Sequence, residues 1–239
     1  MFRLQNEGIN LETLQPVVPV KASNEMKKLA IFLSLLTLPL MACAEDVAPA
    51  KATNPFTAGK HFTVLEAPQP TSVSDGMVEV VEIFWYGCPH CYHLEPEVAK
   101  WLENKPAKAA FVRMPAPLNP SWEKHARMYY TADALGVLDD VHSKIFASIH
   151  VERNRLATES QARAFFEKNG VTANKFKSAY RSFGVDSQMA RTKQLVAGYK
   201  LRSVPTFVVA GKYLITATSA GGNNKIFEVV NALVAQEAQ

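Results

Sequence analysis

The distribution of hydrophobic and polar positions predicts strands near both ends of residues 59–239. Residues 61–68, 78–86 and 109–114 are rich in β-branched and aromatic side chains, which is typical of strands. The segment 78–86 predicts a buried strand, because it is bounded by Asp75-Gly76 before it and by Gly87 after it. Residues 206–215 predict a further strand and its hairpin partner.

Apolar residues recur at helical spacing through most of the remaining chain. A helix is predicted from Pro89 to about Asn104, with Leu94, Val98 and Trp101 along one side and Pro96 inside it. Further helices are predicted over residues 121–136, 138–150, 158–169, 172–183, 187–199 and 225–235, with a Thr158/Gln161 capping box and with Gly184 closing the helix 172–183. Phe165 and Phe166 are predicted to be core residues.

The order of these elements indicates an α/β domain that a block of helices interrupts. The two parts of the α/β domain are residues 59–117 and 187–239, and the inserted helical domain is residues 118–186.

The N-terminal region has the composition of an export signal. Residues 26–44 combine a basic start, an apolar run and a small-residue cleavage site, as in a secretory signal peptide. The apolar run is shorter than the roughly 20 residues that a spanning helix needs. Residues 1–25 are interpreted as an over-extended start, and residues 45–58 as a mobile linker. Cys43 leaves an alternative open, in which cleavage before it gives a lipid-anchored protein.

The formal net charge of +4 arises from scattered basic residues rather than from a basic block. Nucleic-acid binding is therefore not expected.

Cys88 and Cys91 are the only cysteines that remain after cleavage at residue 44. A disulfide between them closes almost no loop and would add little stability. A structural zinc site needs four ligands, and the other histidines are scattered. The favoured interpretation is a redox dithiol. Cys88 lies where a strand turns into a helix, where backbone N–H groups favour a thiolate, so it is the predicted attacking sulfur and Cys91 the resolving one.

The motif "FWYGCPHCYHLEP" and the later "SVPTFVV" resemble the thioredoxin superfamily, and within it the DsbA family of bacterial periplasmic thiol:disulfide oxidoreductases. The resemblance covers the chain from about Gly59 to the end. It implies a thioredoxin fold, a central mixed sheet flanked by helices, with an inserted all-helical domain. It also implies a periplasmic monomer that oxidises reduced, unfolded exported proteins. A membrane quinone-linked reoxidase of the DsbB type would regenerate it, with no metal or organic cofactor.

The resemblance also assigns roles to residues around the cysteines. His90, beside Pro89, is expected to donate a hydrogen bond to the Cys88 thiolate, although it could instead be a solvent-facing helix residue. The Val204–Pro205 bond is expected to be cis and to present the Val204 backbone to substrate, although a trans bond is the alternative.

Glu82 is expected to lie buried beneath the pair and to relay a proton to Cys91, unless it lies on an exposed strand face. Glu79 is expected to be exposed, and Arg113 to approach Glu82. Trp85 and Tyr86 are candidates to line a groove for unfolded chains.

Three other functions remain possible at this point. An isomerase or reductase would have a less acidic Cys88. A chaperone-like or lipoprotein binding module would retain its function in a Cys88→Ser variant. A structural metal site would give stoichiometric zinc in the purified protein.

Overall fold

The computed structural model describes residues 54–239. The predictions for residues 1–25, for the signal peptide 26–44 and for Cys43 therefore lie outside the described residues, as does most of the predicted linker 45–58. No helix within residues 54–239 combines the length and apolar character that a membrane span requires.

The centre of the fold is a mixed five-stranded sheet. Its strands are β1 (Thr63–Val64), β2 (Val78–Phe84), β3 (Ala109–Pro115), β4 (Thr206–Val209) and β5 (Tyr213–Thr216). Their order across the sheet is β1-β5-β4-β2-β3, and only the β2–β3 pair is parallel. The predicted mixed sheet is confirmed.

Eight α-helices surround the sheet or form the insert within residues 54–239. They are α1 (Pro89–Asn104), α2 (Pro120–Ala134), α3 (Leu138–His150), α4 (Glu159–Lys168), α5 (Ala173–Tyr180), α6 (Phe183–Gly198), α7 (Ala217–Ala220) and α8 (Ile226–Glu237), with a short 3-10 helix at Asn223–Lys225. The prediction for α1 is confirmed, including Pro96 inside the helix.

Strand β2 is buried along its whole length because helices cover both faces of the sheet. Val80 contributes to the core shared with α1 and α8, and Val81 to the core shared with α6. The expectation that Glu79 is exposed is wrong. It is 3% exposed, and its Oε2 accepts hydrogen bonds from the Ser72 N–H at 2.8 Å and the Ser72 hydroxyl at 2.7 Å.

The first strand is shorter than residues 61–68. After Val64 the chain bends around the β4–β5 turn, where the Leu65 N–H donates to the Lys212 carbonyl at 2.8 Å and the Gln69 N–H donates to the Gly211 carbonyl at 2.9 Å. These hydrogen bonds to a turn replace a continued strand ladder.

The boundary between α5 and α6 also differs from the prediction. The α5 helix ends at Tyr180, and Gly184 lies in the first turn of α6 instead of closing α5. The cause is Ser182, whose side chain accepts the Val185 N–H at 3.2 Å and so begins a new helix. The predicted domain boundary at residue 186 consequently falls inside α6.

The capping box at α4 is present only in part. The Thr158 hydroxyl accepts the Gln161 N–H at 3.2 Å, as predicted. The Gln161 side chain accepts from the Ala157 N–H at 2.8 Å rather than from Thr158. The start of α4 is still capped, because the Thr158 hydroxyl supplies an acceptor for one of its first N–H groups.

The insert has its own apolar core, which reaches the cysteine pair. Phe165 and Phe166 belong to it, as predicted, and so do Cys88 and Cys91. The redox pair therefore lies at the place where the helical insert packs against the end of β2.

Leu233 of α8 provides a test of the core between α8 and the sheet. Its side chain is fully buried, so Leu233→Ala should lower the free energy of unfolding by about 2–5 kcal/mol in urea titrations. The matched control is Leu118→Ala, at a site that is 42% exposed, which should change it by less than about 0.5 kcal/mol. Equal effects at the two positions would contradict this packing.

Candidate active site

Cys88 and Cys91 are free thiols at the N-terminus of α1. Cys88 is the N-cap residue, and its Sγ accepts the Cys91 N–H at 3.5 Å. The Cys88 N–H donates to the Trp85 carbonyl at 2.9 Å, which fixes the turn after β2. Pro89 occupies the first helical position, where its missing N–H is not needed.

The two thiols differ in acidity. The pKa of Cys88 is lowered to about 6, mainly by a hydrogen bond from the Cys91 thiol, and also by the backbone N–H groups of Cys91 and His90 and the charge of His90. Burial raises the pKa of Cys91 well above its usual range. Cys88 is therefore the thiolate and the nucleophile, while Cys91 remains protonated.

The structure places His90 as the solvent-facing helix residue that was the alternative to a hydrogen-bond donor for Cys88. Its side chain is exposed and, within residues 54–239, makes no hydrogen bond to Cys88. It lowers the pKa of Cys88 through its charge and its backbone N–H.

The Val204–Pro205 peptide bond is cis, as predicted. The loop that contains it lies against the cysteine pair, since Cys88 Sγ is 3.6 Å from the Val204 carbonyl oxygen, to which Cys88 can donate while it is protonated. Pro205 is buried, and the Val204 N–H has no partner within the described part of the chain.

Glu82 lies fully buried on β2, as the resemblance implied. Arg113 of β3 donates from Nε to its Oε2 at 3.2 Å, while its Oε1 has no partner among the described residues. Burial raises the pKa of Glu82 to about 8, and the nearby Glu95 carboxylate adds to this, whereas Arg113 opposes it. The charge of Glu82 in turn raises the pKa of Cys91.

Two further residues of this network, Glu95 and His142, were not found by sequence reasoning. Glu95 of α1 accepts from Arg113 Nη2 at 3.1 Å, and its other oxygen lies 3.4 Å from His142 Nε2. His142 Nδ1 lies 2.8 Å from the Tyr86 hydroxyl. A partial signal was available, because Glu95 follows Cys91 by one helical turn. Nothing in the local sequence indicated His142.

The aromatic residues before Cys88 have separate roles. Tyr86 is fully buried, so the expectation that it lines a groove is wrong. Trp85 is half-buried and stacks on Trp122, with ring centroids 4.5 Å apart and planes 9° apart. Gly87 permits this packing, because a Cβ there would lie 2.3 Å from the Trp85 ring.

The described residues contain no group of three or more His, Cys, Asp or Glu side chains placed to hold a metal ion. What the site does contain is an asymmetric thiol pair beside a cis-proline loop and a buried carboxyl group.

The chain is similar to proteins of one known family. The family model of the DSBA-like thioredoxin domain matches residues 79–234. A thiol:disulfide interchange protein DsbA of Pseudomonas aeruginosa is 40% identical over 204 residues, which are 85% of this chain and 96% of the relative. One from Azotobacter vinelandii is 37% identical over 215 residues, which are 89% of this chain and 98% of the relative.

Solved structures of DsbA proteins have a similar fold. A crystal structure of Pseudomonas aeruginosa DsbA matches with a TM-score of 0.72 and 42% identity, covering 76% of this chain and 94% of that one. The oxidoreductase DsbA of Xylella fastidiosa matches with a TM-score of 0.71 and 26% identity, covering 76% of this chain and 97% of that one. The chain therefore belongs to the DSBA-like thioredoxin domain family and is a thiol:disulfide oxidoreductase with a thioredoxin fold.

Proposed function

We propose that this protein is a periplasmic protein-disulfide oxidase that donates its Cys88–Cys91 disulfide to newly exported, reduced proteins. The observation that carries this proposal is the low pKa of Cys88 beside the high pKa of Cys91. A stabilised thiolate lowers the free energy of the reduced form, so the disulfide is a strong oxidant. The position of Cys88 at the N-cap of α1 supports the same direction, because the helix dipole favours negative charge there.

The reaction proceeds by two thiol–disulfide exchanges. A substrate thiolate attacks Cys88 Sγ, the Cys88–Cys91 bond breaks, and Cys91 leaves and takes up a proton. A second substrate thiolate then attacks the substrate sulfur of the mixed disulfide, and Cys88 leaves as a thiolate. The substrate has lost two electrons to the cysteine pair. Of the two protons that the substrate thiols release, one is balanced by protonation of Cys91 and the other enters solvent.

The neighbouring residues have defined roles in this scheme. Glu82 exchanges the proton with Cys91, since its pKa lies close to neutrality and its Oε1 has no partner within residues 54–239. Pro89 begins the helix whose N-terminus favours the Cys88 thiolate. His90 contributes a positive charge that favours the same thiolate. The Val204 backbone beside Pro205 pairs with an extended substrate strand.

The partners are those that membership of this family implies. The substrates are reduced, unfolded exported proteins, and a membrane quinone-linked reoxidase of the DsbB type restores the disulfide. The protein acts as a monomer, binds no nucleic acid, and uses no metal or organic cofactor besides the Cys88–Cys91 disulfide. It is released into the periplasm, or is anchored there by a lipid on Cys43.

A single-turnover transfer experiment tests the direction of exchange. The oxidised protein, mixed with an equimolar reduced peptide that carries two cysteines, should convert the peptide to its intramolecular disulfide almost completely, as read by mass spectrometry after alkylation. A peptide with a single cysteine is the control, and it should yield only mixed disulfide. A peptide that stays reduced while Cys88–Cys91 stays oxidised would exclude the oxidase and favour a reductase.

A further inference from the structure

A chain of four polar contacts connects the helical insert to the carboxyl group beneath the cysteines. It runs from Glu82 to Arg113 at 3.2 Å, from Arg113 to Glu95 at 3.1 Å, from Glu95 to His142 at 3.4 Å, and from His142 to the Tyr86 hydroxyl at 2.8 Å. His142 is the member of this chain that the insert supplies, from α3.

The contacts of His142 fix its tautomer. The carboxylate of Glu95 can only accept a hydrogen bond, so His142 Nε2 carries the proton and donates it. His142 Nδ1 then accepts from the Tyr86 hydroxyl. Burial lowers the pKa of His142, which agrees with a neutral ring that donates on one side and accepts on the other.

Arg113 is shared between two carboxylates. Its Nε faces Glu82 and its Nη2 faces Glu95, and the side chain of Glu95 is 19% exposed. Without a partner on its other oxygen, Glu95 would be free to turn towards water. Arg113 would then interact with Glu82 alone, and the Glu95 charge would lie farther from Glu82.

We propose that His142 is a positioning residue of the redox site: by holding the Glu95 carboxylate on Arg113, it keeps Glu82 in its protonated form. The effect of this arrangement on turnover rests on the role proposed above for Glu82. The proposed effect of His142 on the protonation of Glu82 does not rest on that role, because it concerns only the Glu82 and Glu95 carboxyl groups.

Both consequences of releasing Glu95 act in the same direction. A more distant Glu95 charge repels the Glu82 carboxylate less, and an unshared Arg113 attracts it more, so the pKa of Glu82 falls in either case. The other groups that face these two sites are unchanged by the substitutions below. The titratable or charged groups around Glu82 and His142 come from several elements. They are Cys91 and Glu95 on α1, Arg113 on β3, Tyr129 on α2, His142 and Asp139 on α3, and Tyr86 after β2. Strand β4 places Phe207, which carries no charge, opposite Glu82.

Two amide substitutions separate the two hydrogen bonds of His142. His142→Gln places an N–H donor near the position of Nε2 and loses the acceptor for Tyr86. His142→Asn places an acceptor near the position of Nδ1 and loses the donor to Glu95. A general loss of packing would affect both variants alike.

The measurement is the infrared band of the protonated Glu82 carboxyl group, followed against pH in the reduced full-length protein. Its absence in Glu82→Gln identifies the band. His142→Asn should lower the measured pKa of Glu82 by roughly one unit, a shift of the size that a neighbouring charge produces. His142→Gln should titrate like the parent protein. This readout does not depend on activity. A fully active Glu82→Gln would contradict the proton-exchange role of Glu82, whereas an unchanged band in His142→Asn would contradict the present proposal, so the two failures are distinguishable.

Thermal unfolding establishes that each variant folds. If His142→Asn does not fold, His142→Phe takes its place, because it keeps the ring volume, has no donor, and should show the same fall. A donor-free variant that titrates like the parent, or a His142→Gln variant that shifts as much as the donor-free one, would overturn the proposal.

Discussion

Replacing Cys88 by serine is expected to abolish disulfide donation completely, whereas Cys91→Ser should leave a nucleophile that stops at the mixed disulfide. Cys88 has the low pKa and lies next to the Val204 carbonyl, while Cys91 is fully buried with a raised pKa. Only Cys88 can therefore react with a thiol or disulfide outside the pair, while Cys91 reacts with Cys88 Sγ. Without Cys91 nothing within the pair resolves the adduct.

The reaction of each reduced variant with an aromatic disulfide reagent measures this difference. Cys91→Ser should accumulate an adduct that mass spectrometry maps to Cys88, and the parent protein should resolve the adduct to a Cys88–Cys91 disulfide. Cys88→Ser should form no adduct at Cys91 on the same time scale. Cys43→Ser serves as the control and should behave like the parent. Rapid modification of Cys91 in Cys88→Ser would contradict the assigned roles.

The reduced protein is expected to gain stability from the Cys88 thiolate as the pH rises from about 6 to 9. The pKa of Cys88 is lowered in the fold from an ordinary value of 9.0 to about 6. Its contribution is therefore fully present above pH 9, decreases as the pH falls, and is lost below about pH 6. Within this window the slope is at most about 1.4 kcal/mol per pH unit, and lower where solvent screens the sulfur.

The comparison of reduced parent protein with reduced Cys88→Ala in urea isolates this contribution. Glu82 titrates in the same pH range with the opposite sign, because its raised pKa makes stability fall as the pH rises towards about 8. Since both proteins contain Glu82, its effect cancels in the difference. The difference in the free energy of unfolding should grow with pH, and a difference that stays flat from pH 6 to 9 would show that the fold does not stabilise the thiolate.

Local sequence signals predicted the parts of the site that one segment builds. The strand β2, the turn at Cys88 and the helix α1 follow one another, so their hydrophobic pattern and Pro89 were sufficient to place the thiol pair. The cis bond at Pro205 was expected from the resemblance and is confirmed.

Contacts between distant segments could not be read in this way. Glu95 and His142 are 47 positions apart, and only the packing of the insert against α1 brings them together. Glu79 was misplaced because an ionised carboxylate is usually exposed, whereas both faces of β2 are covered and Ser72 donates hydrogen bonds to the buried Glu79 carboxylate.

Equilibration of the protein with graded glutathione buffers tests the central claim most directly. Alkylation and mass spectrometry of the peptide that contains Cys88 and Cys91 measure its dithiol fraction without interference from Cys43. The oxidase proposal predicts that the pair remains a dithiol until the buffer is strongly oxidising, because the Cys88 thiolate stabilises the reduced form. A pair that is already a disulfide in reducing buffer would contradict it.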